Sequence, residues 1–449
     1  MAEPSVFWFR KDLRLADHPA LLAAFESVEQ VFLVASADSL GCPFESLSEI
    51  RRNSLRSSWH HLSESVAGRL TIVKSPNEIV AFSKNVGASK VFASKVFDPQ
   101  GVRELTAIAK DLESSGIELI LGGSNYAVEP GSVLKADGTP YRVYTPFYRE
   151  WMKHQVPAPV PGPALSMIGQ ATFETEFEPM VHLGSKTMAG EAQALRTLDN
   201  FLAKRVDGYA ENRDRPDLGG TSHLSHALSH GEIHPRTILA RLPLGEGPEV
   251  FIKELAWREF YADVLWHNQT TVDGYYDRKF EKLRYDQPDS KFEAWKLGKT
   301  GFPVVDAGMR QLITTGWMHN RVRMIVASFL VKDLHIEWTH GARWFEENLT
   351  DFDPASNSHG WQWTAGCGTD ASPYYRVFNP ITQGEKFDPN GDYVRKFIPE
   401  LKSVPGSQVH QPWLLPKELT SGYPAPIVDH AAERLEALDR LAELQKIGK

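Results

Sequence analysis

Cysteine is scarce in this chain of 449 residues, which holds only Cys42 and Cys367. These two residues give neither a disulfide framework nor a metal-ligand spacing, and their scarcity favours a reducing, cytoplasmic environment. No apolar run approaches the length of a membrane-spanning helix, so we expect no membrane partner. The amino terminus lacks a basic region followed by an apolar stretch, so we expect no export.

The chain also lacks an excess of positive charge and a glycine-rich dinucleotide motif. Its net charge of -8 argues against a generally basic nucleic-acid coat, so any DNA contact must be a local basic patch. Without a glycine-rich motif, a flavoprotein oxidoreductase with an open nicotinamide site is not supported. An apolar fraction of 42% is ordinary for a globular protein, and the length predicts two domains.

Short β-branched and aromatic runs alternate with helical patterns through the first 130 residues. The expected strands are residues 5–9, 30–35, 70–74, 90–93 and 117–121. This alternation predicts a doubly wound α/β domain with a mainly parallel sheet over residues 1–130. Ligands bind at the carboxyl ends of such strands, so the charged loop at residues 10–14 is a candidate site; the alternative is a salt-bridged loop.

A proline-rich segment separates this domain from a helical one. Residues 157–163 read Pro-Ala-Pro-Val-Pro-Gly-Pro, which cannot form a helix or a central strand because proline fixes φ and removes a donor. We therefore place a linker at residues 131–190 and an all-α domain at residues 191–449. The charged ending after Asp429 predicts one amphipathic terminal helix.

Nine of the twelve tryptophans lie beyond residue 250, interleaved with arginine and asparagine. One predicted helix, residues 251–267, carries a stripe of mixed chemistry at positions i, i+3, i+4 and i+7: Glu254, Trp257, Arg258 and Tyr261. A second predicted helix, residues 318–334, brings together the amide of Asn320, the guanidinium of Arg323 and the thioether of Met324. A single tryptophan is more often a core residue, but this grouping favours ring binding, base stacking or electron transfer.

Two loops have a composition that is weak evidence by itself. Residues 219–225, Gly-Gly-Thr-Ser-His-Leu-Ser, end a loop and open a helix, so their hydroxyls and free amides are suited to a phosphate. Any capped helix after two glycines would look the same. Asp351-Phe352-Asp353-Pro354 has the composition of an ordinary turn and cap.

Together these segments resemble the photolyase and cryptochrome flavoproteins over nearly the whole chain. The matching motifs are Trp-Phe-Arg-Lys-Asp-Leu-Arg-Leu-Ala-Asp (8–17), Gly-Thr-Ser-His-Leu-Ser (220–225), Trp-Arg-Glu-Phe-Tyr (257–261), Gly-Trp-Met-His-Asn-Arg-Val-Arg-Met (316–324) and Asp-Phe-Asp-Pro-Ala-Ser-Asn (351–357). In this order and spacing they are highly specific. Within the family, the chain most resembles class I photolyases, which repair cyclobutane pyrimidine dimers.

The resemblance implies a U-shaped FAD bound in the helical domain. The positions that match its binding residues are Tyr209, Thr221, Ser222, His223, Leu224, Ser225, Arg258, Arg323, Asp351 and Asp353. Asn357 matches the residue that faces flavin N5. An amide there adds no charge, which suits an anionic reduced flavin and favours repair over plant-type signalling.

The resemblance also assigns residues to damaged DNA. A dimer must be flipped out of the duplex to reach a buried flavin. By position, Trp257 and Trp363 would sandwich it, Glu254 and Asn320 would hydrogen-bond its edges, and Met324 would pack against it. The arginines that match phosphate contacts are Arg213, Arg321 and Arg376, which would form the local basic patch. We expect a monomer.

Electron supply and light harvesting depart from the family pattern. In the chain of three tryptophans by which relatives reduce their flavin, Trp361 and Trp338 match the inner two, but Tyr285 stands at the outermost position. A tyrosine is harder to oxidise unless its proton can leave, so photoreduction is expected to be slower or to use another aromatic exit. Arg51 matches a deazaflavin-binding position, yet residues 94–99 lack the expected pattern, so deazaflavin, folate or no antenna all stay open.

Two other activities of the family compete with dimer repair. A cryptochrome light receptor is the main alternative, but its usual carboxyl-terminal extension is not expected, because the chain ends about 50 residues past Pro399 in what reads as a packed helix. Repair of 6-4 photoproducts needs two histidines where Asn320 and Met324 stand. His359 has no role that the resemblance assigns.

Overall fold

The computed structural model describes residues 3–26, 30–38, 43–175, 177, 189–370 and 375–447. Cys42 lies outside these ranges. Contacts divide the chain into two compact units. The first unit comprises residues 1–141, 145–207 and 222–269, and the second comprises residues 142–144, 208–221 and 270–449.

A parallel sheet forms the centre of the first unit. Among the described residues its five strands are β1 (Ser5–Phe9), β2 (Val31–Ser36), β3 (Leu70–Val73), β4 (Lys90–Ala93) and β5 (Glu118–Leu121), in the order β3-β2-β1-β4-β5. All five predicted strands are confirmed with ends shifted by at most one residue. Every residue of β1 and β2 is buried, which is why these strands read as continuous apolar runs.

Eighteen α-helices are present among the described residues. In chain order they are α1 (Pro19–Glu26), α2 (Glu49–Ser65), α3 (Glu78–Asn85), α4 (Pro99–Glu113), α5 (Tyr144–Trp151), α6 (Glu191–Lys204), α7 (Tyr209–Asn212), α8 (Ser225–Ser229), α9 (Pro235–Leu239), α10 (Glu246–His267), α11 (Ser290–Lys296), α12 (Pro303–Thr315), α13 (Asn320–Lys332), α14 (Trp338–Asn348), α15 (Pro354–Ala365), α16 (Pro380–Phe387), α17 (Asp392–Phe397) and α18 (His430–Ile447). The terminal helix predicted after Asp429 is confirmed as α18.

The charged loop after β1 is a salt-bridged structure. Arg10 pairs with Glu104 at 2.8 Å, and Asp12 lies 3.1 Å from His18. Arg14 donates to the carbonyl oxygens of Asp17 and Gly231. Burial lowers the pKa of Arg14 to about 10. These partners favour the structural alternative over a ligand site for residues 10–14.

Helices are the main regular structure of the second unit among its described residues, apart from one isolated β-bridge between Asp286 and Ile336. Its apolar core is built from α12, α13, α14 and α15, with Trp295, Trp338 and Trp361 among the buried side chains. Gly316 ends α12 with φ +68, a left-handed conformation that glycine adopts without a Cβ clash. The chain then turns into α13, so the second predicted helix is confirmed and begins at Asn320.

Candidate functional site

The predicted stripe on α10 is present. Glu254, Trp257, Arg258 and Tyr261 are all half-buried, whereas the adjoining face carries fully buried residues such as Leu255 and Phe260. The Trp257 ring lies 5.6 Å from Phe260 and 5.4 Å from Tyr261, measured between centroids. These contacts hold the indole while part of it stays accessible, as a stacking surface requires.

Buried carboxylates fix α10 within the first unit. Glu259 accepts hydrogen bonds from the Val128 amide at 3.0 Å and the Trp151 indole N-H at 2.6 Å. Asp263 accepts from the Gly131 amide at 2.7 Å. Burial raises the pKa of both carboxyls. Because charged acceptors make strong hydrogen bonds, these contacts set the position of the helix and of its stripe.

The Arg258 side chain makes its hydrogen bonds and its ring contact within the first unit. Its guanidinium donates to the carbonyl oxygen of Asn125 at 2.9 Å and lies 4.6 Å from the ring centroid of Tyr126. It also donates to the Leu228 carbonyl at 3.4 Å. These bonds tie α10 to the loop at Asn125 and to α8, so the structure gives Arg258 a positioning role, whereas its predicted cofactor contact stays a prediction.

The loop that precedes α8 has an unusual backbone. Gly219 and His223 both have positive φ, +59 and +57, which for a residue other than glycine is a sparsely populated state. The Ser222 hydroxyl accepts from the Leu224 amide at 3.3 Å, and Ser225 begins α8. The two positive φ angles and the Ser222–Leu224 hydrogen bond define the conformation of this loop. The helix that follows it, α8, is only five residues long.

Residues 208–221 hold the predicted phosphate-contacting groups of the second unit. Tyr209 is buried at the start of α7, and the guanidinium of Arg213 lies 5.9 Å from its ring centroid. A Cβ at Gly220 would meet Cβ of Asn212 at 2.6 Å, so only glycine allows this close approach. The Thr221 hydroxyl is buried without a hydrogen-bond partner among the described residues. Such an orphaned hydroxyl fits a ligand with polar oxygens.

A buried ion pair links α13 to the residues before α15. Arg323 donates to Asp351 Oδ2 at 2.7 Å and to the Met318 carbonyl at 2.8 Å. The side chain of Asp351 is 1% exposed, and its Oδ1 has no partner among the described residues. This open acceptor fits a ligand that brings hydroxyl or N-H donors, as the ribityl chain and ring of FAD do.

Asp353 and Asn357 follow on α15. Asp353 caps the helix by accepting from the Ser356 amide at 2.8 Å. Asn357 donates its side-chain N-H to the Ala342 carbonyl at 3.1 Å, which orients the amide. His359 on the same helix is buried, and its Nε2 lies 3.3 Å from the Thr271 hydroxyl. Burial lowers the pKa of His359 to about 4, so it is neutral at physiological pH and has a packing role.

The predicted DNA-facing residues of the second unit lie near its surface. Asn320 is exposed at the first position of α13, and Met324 is half-buried one turn later. Trp363 is half-buried, and its indole N-H donates to the Asp370 carbonyl at 3.1 Å. Fixed in this way, the ring keeps part of its face accessible.

The predicted phosphate-binding arginines differ in their surroundings. Arg321 pairs with Asp214 at 2.8 Å and lies 4.6 Å from the Phe387 ring centroid. Arg376 has an exposed side chain, and its carbonyl accepts from Lys332. The charge of Arg321 is thus partly balanced already, which makes Arg376 the more available contact for a phosphate.

The predicted electron-transfer residues are close-packed aromatics. Trp338 and Trp361 are buried. A Cβ at Gly341 would lie 2.2 Å from Cη2 of Trp361, so glycine lets Trp361 close onto the helix that Trp338 begins. Tyr285 is half-buried and packs against the same core. Sequence reasoning missed Tyr275, which contacts Trp338 at 5.9 Å between ring centroids; 63 residues separate the two, so no local pattern reveals the contact.

Arg51 lies inside the first unit. It is buried on α2, whose cap Ser48 accepts from the Arg51 amide at 3.3 Å. Nearby, burial lowers the pKa of His230 to about 3. In the loop at residues 94–99, Lys95 pairs with Glu129 at 2.9 Å and Asp98 caps α4. These contacts do not select a pigment.

Two general properties concern the described residues. None of their helices is both long and apolar enough to cross a membrane. Within the same ranges, no group of three or more His, Cys, Asp or Glu side chains is arranged to hold a metal ion.

Comparison with known families gives matches over both halves of the chain. A family model described as DNA photolyase matches residues 5–164, and one described as the FAD binding domain of DNA photolyase matches residues 251–443. A protein of Alkalihalophilus pseudofirmus named deoxyribodipyrimidine photo-lyase is 38% identical, over 96% of this chain and 96% of its own. One of the same name from Agrobacterium fabrum is 37% identical, over 99% and 98%.

Solved structures agree with these relatives. A bacterial class III photolyase from Agrobacterium tumefaciens has a TM-score of 0.91 at 37% identity, covering 99% of this chain and 98% of that one. An archaeal photolyase from Sulfolobus tokodaii, described with two FAD molecules, has a TM-score of 0.83 at 30% identity, covering 98% and 100%. A cryptochrome from Synechocystis has a TM-score of 0.84 at 26% identity, covering 98% and 99%.

Proposed function

The chain belongs to the DNA photolyase family of FAD-binding repair enzymes, and we propose that its substrate is the cyclobutane pyrimidine dimer in DNA. The observation that carries this choice is the start of α13, where Asn320 is exposed and Met324 follows one turn later. Neither side chain exchanges protons at neutral pH. A lesion that needs acid-base chemistry, such as a 6-4 photoproduct, is therefore not favoured, whereas a dimer that needs only contacts and an electron is.

FAD fits the polar groups of the second unit. The open Oδ1 of Asp351 and the orphaned hydroxyl of Thr221 are acceptor and donor sites for a ligand rich in hydroxyls and phosphates. When bound and reduced, FAD supplies one electron to the dimer under light and takes it back after the cyclobutane bonds break. Arg323 holds Asp351 in place, and Asn357 would present a neutral amide, which adds no charge of its own beside the flavin.

The remaining residues would bind and orient damaged DNA. Trp257 and Trp363 each keep an accessible part of an anchored ring, which suits stacking on a flipped base. Glu254 would donate a hydrogen bond or proton to the opened dimer. Arg213, Arg321 and Arg376 would hold phosphates, which gives a protein of net charge -8 the local positive patch it needs.

The domain division, the oligomeric state and the antenna pigment are proposed here. The division at residues 130 and 190 and the monomeric state are proposed on sequence grounds alone. For an antenna the alternatives are deazaflavin, folate or none, and the Sulfolobus tokodaii structure, described with two FAD molecules, adds a second FAD to them. We do not assign the protein to class I, which its motifs resemble, because a structure at 37% identity is described as a class III photolyase.

A cryptochrome-type light receptor is the second candidate function. The Synechocystis structure, with a TM-score of 0.84, supports it, since the same fold serves receptors. The two candidates differ in one property: a receptor binds FAD and responds to light but does not split dimers.

The test is repair of a thymine-dimer oligonucleotide by the purified, chemically reduced protein, in blue light and in the dark. We expect light-dependent recovery of thymine absorbance. Trp363→Ala should weaken binding of the lesion by about 1–3 kcal/mol, the usual value of one stacked base. Trp413→Ala removes another partly exposed tryptophan and serves as the control. No repair by protein with fully reduced FAD would favour the light receptor.

A further inference from the structure

Buried Tyr275 and half-buried Glu337 form a hydrogen-bonded pair beside Trp338. The Tyr275 hydroxyl donates to Glu337 Oε1 at 2.8 Å. The Tyr275 ring meets the Trp338 ring edge to face, with centroids 5.9 Å apart and an interplanar angle of 89°. Glu337 directly precedes Trp338 and caps α14. A phenol, its hydrogen-bonded carboxylate and an indole are therefore in contact.

The chemistry of a phenol makes this arrangement informative. Burial raises the pKa of Tyr275 well above its usual value, so the phenol is protonated at rest. Losing an electron turns a phenol into a strong acid, so oxidation is easy only where a base can take the proton. A base within about 2.6–3.2 Å meets the distance condition for direct proton transfer, and the 2.8 Å contact with Glu337 lies in that range.

We propose that Tyr275 is the electron donor to oxidised Trp338 and that Glu337 accepts the phenolic proton. The proposal rests on the proposed function, because it requires bound FAD, and on the electron route to the flavin that the family resemblance assigns to Trp361 and Trp338. Tyr275 and Glu337 would follow Trp338 in this route.

Trp338, left as an indole radical cation, takes one electron from Tyr275 and becomes neutral. The Tyr275 O-H bond breaks, its proton moves to Glu337, and a neutral tyrosyl radical and a carboxylic acid remain. An external thiol then gives a hydrogen atom to the tyrosyl radical and becomes a thiyl radical, while Glu337 releases its proton to water.

Tyr285, predicted at the outermost position, has no carboxylate acceptor like Glu337 among the described residues, where its buried hydroxyl makes no well-aligned hydrogen bond. That hydroxyl lies near the hydroxyl of Tyr275, a contact that lowers the pKa of Tyr285 less than burial raises it. Burial raises the pKa of Tyr285 beyond its ordinary range. A small cavity, large enough for about one water molecule, borders Tyr285, with His335, Tyr375 and Arg440 in its wall. Tyr285 thus contacts both Tyr275 and this water-sized space.

The experiment uses the full-length protein with oxidised FAD, excited by a light flash. Electron paramagnetic resonance and transient absorption should show a long-lived neutral tyrosyl radical. Tyr275→Phe should abolish that radical and shorten the charge-separated state at least tenfold. Glu337→Gln should do the same, and Glu337→Asp should restore part of the yield. In D₂O the tyrosyl radical should form more slowly in the wild type.

A second readout follows the proton itself. The light-minus-dark infrared spectrum should contain a carboxylic acid C=O band that is absent in Glu337→Gln. Tyr393→Phe is the matched control, because it also removes a buried phenol that donates to a side-chain oxygen, Gln311 Oε1 at 2.7 Å. It should keep the tyrosyl radical and the infrared band.

The outcomes separate this proposal from the repair function. A normal tyrosyl radical in Tyr275→Phe would overturn the proposal, as would loss of the radical in Tyr285→Phe alone. If Tyr275→Phe does not fold, an infrared band unchanged in Glu337→Gln would overturn it equally. Repair by chemically reduced Tyr275→Phe should equal that of the wild type. Failure of repair in the wild type would contradict the repair function and leave the radical result standing.

Discussion

Removing the cation of the Arg323-Asp351 pair should destabilise the second unit strongly. In Arg323→Met, Asp351 keeps a carboxylate that is 1% exposed and loses the hydrogen-bond donor that lies 2.7 Å from its Oδ2. Breaking a buried ion pair from one side typically costs about 3–5 kcal/mol. Because 26% of the Arg323 side chain is exposed, water can enter the vacated space, and we expect about 2–3 kcal/mol.

The assay is urea unfolding of FAD-free protein, followed by tryptophan fluorescence. Seven of the twelve tryptophans lie after residue 270, so the signal reports mainly on the second unit. Asp351→Asn, which removes the charge and keeps the shape, should cost about 1 kcal/mol. The double variant should be more stable than Arg323→Met, because no unpaired carboxylate remains buried, which gives a coupling of about 1–2 kcal/mol.

Arg310→Met provides the comparison for this pair. Arg310 meets Glu400 at the same 2.7 Å, but the Glu400 side chain is 28% exposed, so its carboxylate can turn to water and the loss should stay near 1 kcal/mol. Equal losses for Arg323→Met and Arg310→Met would refute the reasoning. FAD retention should fall in both Arg323→Met and Asp351→Asn and stay unchanged in Arg310→Met.

Three further predictions concern packing, pH and DNA. Gly341→Ala should cost about 1–3 kcal/mol by overpacking against Trp361, whereas Gly360→Ala, with open space around it, should gain about 0.5–1 kcal/mol; thermal unfolding compares them. Burial raises the pKa of Asp333 from 3.8 to about 6, so its proton is held more tightly in the fold, and its stabilising contribution is full below pH 4 and lost as pH rises through 6. Asp333→Asn should remove this dependence, up to about 3 kcal/mol in unfolding free energies measured at pH 4 and 7, and an unchanged profile would contradict the assignment. Arg376→Ala should lower the slope of log affinity against log salt by about 1 for damaged and undamaged DNA alike, whereas an unchanged slope would exclude a phosphate contact.

The sequence predicts the sheet well because local pattern determines it. Every residue of β1 and β2 is buried, so these strands are apolar on both faces, which leaves little choice of structure. The edge strands β3 and β5 are only partly buried and are marked by short apolar runs between helical patterns. The stripe on α10 is equally predictable from spacing. The start of α10 at Glu246, five residues before the predicted one, is not, because Gly247 and Pro248 carry no apolar periodicity. Only the close approach of the Val206 carbonyl, 1.9 Å from where a Cβ of Gly247 would lie, explains that segment.

The sequence predicts which residue types make up the candidate site. It does not predict which of these residues contact one another. Motif resemblance names Arg323 and Asp351 separately, and only the fold brings them to 2.7 Å. Tyr275 and Glu337 are 62 residues apart, so their contact depends on tertiary packing. The loop at residues 10–14 shows the converse: a charge pattern compatible with a site becomes a set of buried ion pairs when the fold closes around it.

The carboxylates of α10 have a consequence for dissecting the protein. Glu259 and Asp263 take their donors from Val128, Gly131 and Trp151, which lie far upstream in sequence. A recombinant fragment starting at residue 191 would keep both acids and discard every one of these donors. Such a fragment should be expressed as a poorly folded species, so an excised flavin module, or a chimera with a relative, should carry residues 125–151 together with α10.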